Sequence, residues 1–72
     1  MNKLYRAIDK TNGKESIFLV KTNGDVNVSH CLYGWSDEKI ISTIKEVLHS
    51  WPTRRTASFK DAINPVLIGE FE

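Results

Sequence analysis

The groups best suited to chemistry in this chain are two histidines, one cysteine and a few adjacent charges. Their spacing limits what they can do together. His30 and Cys31 are neighbours. On a strand, neighbouring side chains point to opposite faces, so this imidazole and thiol cannot serve each other as base and nucleophile or share an ion. His49 stands near the end of an apolar-periodic stretch, where a helix dipole favours positive charge. A zinc site needs about four ligands in a recognisable spacing, and neither Cys-x-x-Cys nor His-x-x-x-His occurs. Asp37 and Glu38 are adjacent carboxylates in what reads as the first turn of a helix. There they answer the dipole and do not converge on a substrate. The glycines are isolated, so there is no phosphate-cradling loop. The chain therefore reads as a non-enzymatic protein, with no catalytic residue, cofactor or metal expected.

Binding is the remaining chemistry. Arg54-Arg55, flanked by Thr53, Thr56 and Ser58 in an expected loop, could grip phosphates or a partner's carboxylates. Arg6 and Lys60 could extend that surface. A solvated loop accounts for the same pair of arginines. The aromatic residues are the other resource: two Trp, two Tyr and three Phe. Tyr5, Cys31 and Tyr33 fall on strand positions expected to face away from the helix. With Arg54 and Arg55 they form the candidate partner-binding set. An exposed face of this kind marks a docking surface or a dimer seam unless the tail covers it. Asn27-Val28-Ser29 matches the glycosylation acceptor pattern, but its mid-strand position makes the match accidental.

These groups hang on elements that the sequence punctuates clearly. Lys10-Thr11-Asn12-Gly13 recurs as Lys21-Thr22-Asn23-Gly24. Asn-Gly is the strongest short hairpin signal, because a type I′ turn needs positive φ at both central residues. The repeat predicts a three-stranded antiparallel meander over Lys3 to Asp9, Ser16 to Lys21 and Asp25 to Tyr33. Ile17-Phe18-Leu19-Val20 is apolar on both faces, the pattern of a central strand. Val26, Val28, His30 and Leu32 alternate with Asn27, Ser29, Cys31 and Tyr33, the pattern of a half-buried strand.

A helix follows Gly34. Ser36 is a good N-cap, and Trp35 and Ile40 are placed for a hydrophobic staple. Ile40, Ile41, Ile44, Val47, Leu48 and Trp51 recur at helical spacing and form one apolar face. Pro52 ends the pattern. Ser58 to Ile63 reads as a short capped helical turn, with a strand as the alternative. Pro65 then opens a last strand through Phe71. The expected fold is α+β: a three-stranded meander, one amphipathic helix packed on the sheet, and a C-terminal strand.

Composition sets the outer bounds. The chain has 72 residues, 40% hydrophobic and 26% charged, the balance of one small globular domain. The net charge of +1 carries no long-range attraction to nucleic acid or to an anionic membrane. A single cysteine makes no internal disulfide, and the N-terminus lacks the apolar run of a signal peptide, so the cytoplasm is the expected compartment. The function these features favour is a protein-binding module, an accessory or inhibitory regulator that docks on a larger protein. Its size suits a phage or mobile-element protein. The alternative is a nucleic-acid-binding protein using Arg54, Arg55, Lys60 and sheet aromatics. Homodimerisation is open, because a small domain gains core by pairing.

Overall fold

The computed structural model describes residues 1–30, 32–47 and 57–72. Four strands, β1 (Asn2–Asp9), β2 (Lys14–Val20), β3 (Val26–Ser29) and β4 (Ala62–Phe71), form an antiparallel sheet in the order β3-β2-β1-β4. Among the described residues one helix, α1 (Asp37–Val47), packs on the sheet, and a 3-10 turn, Phe59–Asp61, precedes β4. The α+β meander is as expected, and β4 returns beside β1. The expected end of the helix at Trp51 and Pro52 lies outside the described residues.

The two Asn-Gly turns form, but not as type I′. Gly13 and Gly24 have positive φ, 71° and 96°, whereas Asn12 and Asn23 do not. Each asparagine side chain instead accepts a hydrogen bond from a backbone N–H two residues on. Asn12 Oδ1 takes Lys14 N at 2.9 Å, and Asn23 Oδ1 takes Asp25 N at 3.0 Å. The loop therefore closes through the asparagine side chain and leaves only glycine in the left-handed region. The asparagine bond recurs, but the backbone closes differently: Gly13 N donates to Asp9 O at 2.7 Å, four residues back, and Gly24 N to Lys21 O at 2.9 Å, three back.

The sheet is apolar on both sides, and each side has its own cover. Leu4, Ile17, Leu19, Leu32 and Phe71 pack with Ile40 and Ile44 of α1 on one side. Ser36 caps that helix: its carbonyl accepts from Ile40 N at 3.0 Å and its hydroxyl from Lys39 N at 3.3 Å. Ala7, Phe18, Val26 and Val28 form the second cluster on the other side, with Tyr5, Val20, Ala57 and Ala62 against it. The returning chain thus packs on the face away from α1, the face expected to expose Tyr5: Phe18 is fully buried, and Phe59 lies 4.8 Å from Tyr5 between ring centroids. Ala57 N also donates to Val26 O at 2.8 Å, so the returning chain reaches the outer strand β3.

β3 stops at Ser29, short of the expected Tyr33. Val26 and Val28 pair with Val20 and Phe18 and so share the face away from α1, while Leu32 packs on the α1 side. The chain leaves the sheet between them, which breaks the alternation of the sequence. Asn27, in the accidental glycosylation pattern, is buried.

Candidate functional site

β4 is the element whose surroundings do not match its sequence. It is ten residues long and lies at the edge of the sheet. Its pairing with β1 shifts register twice, between Leu4 and Tyr5 and between Arg6 and Ile8. The second shift falls at Asn64-Pro65, where Asn64 takes a φ of 52°. Asparagine tolerates that left-handed conformation, and proline without an N–H is at home where a ladder is broken on an edge. The strand therefore runs through Pro65, starting at Ala62, and does not begin at the proline as expected.

Cross-strand partners share a face, so the register locates each β4 side chain. Val66 pairs with Arg6 and Ile63 with Ile8, on the α1 side; Leu67 pairs with Tyr5, on the opposite side. All three are exposed, Val66 to 60%, Leu67 to 47% and Ile63 to 41%. Arg6 explains why the α1 side opens here. Its guanidinium donates to the carbonyl oxygens of Tyr33 and Trp35 and, through Nε, to Asp37 Oδ1 at 2.9 Å, and it stacks 5.1 Å from the centroid of the Tyr33 ring. The residue thus ties β1 to the turn that starts α1. Leu4 is fully buried on the α1 side of Arg6, whereas Ile8 beyond it is only half-buried.

Along its C-terminal half β4 meets α1 closely. A Cβ at Gly69 would stand 2.6 Å from Ile41 Cδ1, so a larger residue there would require the Ile41 side chain to shift. Ile41 also floors an open concavity of ≈ 470 Å³ lined by Glu38, Ser42, Lys45 and Glu46. The spacing of these residues places them on one face of α1. All of its lining belongs to α1, so it is a shallow hollow on one face of the helix.

A second polar cluster lies at the first turn. Asp9 is fully buried, and its Oδ1 accepts from Thr11 N at 3.0 Å and Thr11 Oγ1 at 2.8 Å. Its Oδ2 lies 3.3 Å from His30 Nε2, which also meets Asn12 Nδ2 at 3.2 Å. A buried carboxylate holding an imidazole is a familiar catalytic part, but a nucleophile or second base must converge on it. The hydrogen bonds described here run to groups of the first turn, Thr11 and Asn12. The cluster fastens the start of the first turn to the residue after β3. Among the described residues no group of three or more His, Cys, Asp or Glu could hold a metal ion.

The residues that the sequence singled out for binding form a divided set, with Tyr5 and Tyr33 on opposite sides of the sheet. Tyr5 is half-buried beneath Phe59, while Tyr33 packs against the α1-side core under Arg6. Cys31, Arg54 and Arg55 lie outside the described residues, as does His49. Lys60 is exposed beside Phe59 in the 3-10 turn, and Arg6 is committed to the start of the helix. The β4 edge is not among those candidates. Its signal is present in the sequence as Val66-Leu67-Ile68, apolar on both faces like Ile17 to Val20.

Comparison of the chain with protein-family models, with curated proteins and with solved structures finds no match. No helix among the described residues is long and apolar enough to cross a membrane.

Proposed function

We propose that this chain is a small non-enzymatic protein-binding module that docks on a protein partner through the outer edge of β4, as an accessory or inhibitory regulator. One observation supports the reading: β4 has the side chains of a central strand in an edge position. Ile17-Phe18-Leu19-Val20 of β2 is apolar on both faces and lies between two strands, with Ile17, Phe18 and Leu19 buried. Val66-Leu67-Ile68 of β4 has the same character, yet among the described residues β4 pairs with β1 alone. An edge that is apolar on both faces offers main-chain hydrogen bonds and side-chain contacts to an incoming segment. Edges that must stay free are usually charged, short, covered, or blunted by proline or a bulge. β4 is ten residues long and has one acidic residue, Glu70; Pro65 and the two register shifts limit the length of edge open to pairing.

Capture from a lysate of cells that carry the protein tests this. The wild type should retain one stoichiometric protein that survives nuclease and high salt. Val66→Glu with Leu67→Glu should lose it while keeping the circular dichroism spectrum and melting temperature, since both side chains are exposed. Equal capture by the variant contradicts the β4 edge as the site. Nucleic acid released by salt, with no protein retained, would favour the arginine-loop alternative.

A further inference from the structure

The two Lys-Thr-Asn-Gly turns place the same reactive dipeptide in two settings. An asparagine followed by glycine can modify itself. The glycine nitrogen adds to the side-chain carbonyl carbon, ammonia leaves, and a five-membered succinimide closes. Glycine favours this because no side chain shields its nitrogen. Asn12 and Asn23 are both exposed, so water reaches either product. In both turns a backbone donor already polarises the side-chain carbonyl. Asn12 Oδ1 accepts from Lys14 N at 2.9 Å, and Asn23 Oδ1 from Asp25 N at 3.0 Å. Each N–H faces the oxygen that gathers negative charge as the ring forms.

The leaving nitrogens have unlike neighbours. Asn12 Nδ2 lies 3.2 Å from His30 Nε2, whereas Asn23 Nδ2 donates to Asp25 Oδ2 at 3.2 Å. An amide nitrogen leaves poorly until it is protonated. Imidazole exchanges protons near neutral pH, and an ionised carboxylate has none to give. Asp9 Oδ2, 3.3 Å from the same Nε2, holds that ring nitrogen against the turn. The Asp25 carboxylate instead repels the charge growing on the Asn23 oxygen. The attacking nitrogens are restrained in both turns. Gly13 N donates to Asp9 O at 2.7 Å and Gly24 N to Lys21 O at 2.9 Å, and either bond must open before attack. The shorter bond opposes reaction at Asn12, but a positioned proton donor contributes ~10²-fold or more in tuned sites and outweighs it.

We propose that Asn12 is a self-modification site, at which Gly13 N displaces ammonia from the Asn12 side chain while His30 Nε2 protonates the departing nitrogen. The bond from Gly13 N to Asn12 Cγ forms, and the bond from Cγ to Nδ2 breaks. The Gly13 N–H proton passes to solvent, and the imidazole recovers a proton from solvent. The succinimide then takes up one water and opens to aspartate or isoaspartate at position 12. The net change is amide plus water to carboxylate plus ammonia. This site is independent of the docking edge of β4.

The test is to age the purified protein in neutral phosphate buffer and map it by mass spectrometry, with isoaspartate scored by enzymatic methylation. Asn12 should convert about tenfold faster than Asn23, below the gain of a tuned site. In the urea-unfolded chain the two should convert at similar rates. His30→Ala should bring Asn12 down to the rate of Asn23, and added imidazole should restore it. Circular dichroism checks that this variant is folded, and the wild-type comparison stands without it. Equal conversion in the folded wild type, faster conversion at Asn23, or no loss at Asn12 in folded His30→Ala would overturn the proposal. So would a loss that imidazole does not restore, or the same preference for Asn12 in urea.

Discussion

Gly69 of β4 and Ile41 of α1 approach so closely that a single added methyl group would meet Ile41 Cδ1 at 2.6 Å and Cγ1 at 2.9 Å. This contact brings α1 close to the C-terminal half of β4. Gly69→Ala should therefore cost about 1–3 kcal/mol, the usual penalty for overpacking. Ile41→Ala in the same chain should recover part of that loss by making room, so the two changes should be non-additive in a double-mutant cycle by chemical denaturation. Full additivity would show that the contact is not the cause.

Arg6 should matter more than its partial exposure suggests. It bonds two backbone carbonyls of the turn before α1 and the Asp37 carboxylate, and it stacks on Tyr33. Lysine has neither the planar fork nor the reach to satisfy these together. Arg6→Lys should destabilise by about 1.5–3 kcal/mol, the scale of charged hydrogen bonds. Asp37→Asn should cost under about 1 kcal/mol, because that carboxylate is half exposed and solvent screens the pair. Urea denaturation of both variants checks the ranking.

The first-turn cluster predicts an asymmetric pair. Asp9→Ala removes the acceptor for both Thr11 donors and for His30 and leaves a buried hole, so about 2–4 kcal/mol should be lost. His30→Ala should cost about 1 kcal/mol or less, because its side chain is more than one third exposed and Asp9 keeps its Thr11 bonds. Thermal melts of the two single variants decide this.

Gly13→Ala and Gly24→Ala each force a side chain into a left-handed backbone, at about 1 kcal/mol apiece. Nothing lies within 4 Å of either added Cβ, so the cost is conformational rather than steric crowding by neighbours. Asn at either position should be better tolerated than Ala, which chemical denaturation of the four variants would show.

Much of the fold is legible in the sequence because the chain punctuates itself locally. The Lys-Thr-Asn-Gly repeat, the doubly apolar β2, the Ser36 cap and the Ser58 turn each act through nearby residues, and each is present. The turn type is not legible, because an asparagine side chain can close a loop without adopting positive φ. Nor is the orientation of β3, because alternation tells which residues share a face and not which face is inward. Only the pairing of Phe18 with Val28 settles that. The site is the least legible part. The commitment of Arg6, the packing of Tyr33 beneath it and the edge position of β4 all depend on long-range contacts. The residues around 66–68 announce a buried strand, and strand order alone places them at the rim.

The docking role of β4 is tested most directly by photo-crosslinking from single positions. A photoreactive residue at Leu67, on the exposed edge, is compared with one at Asn23, on an exposed turn well away in sequence. Irradiation in a lysate of cells that carry the protein should give one discrete protein adduct from position 67 and none from position 23. The same adduct from both positions, or an adduct from position 23 alone, would contradict β4 as the docking edge.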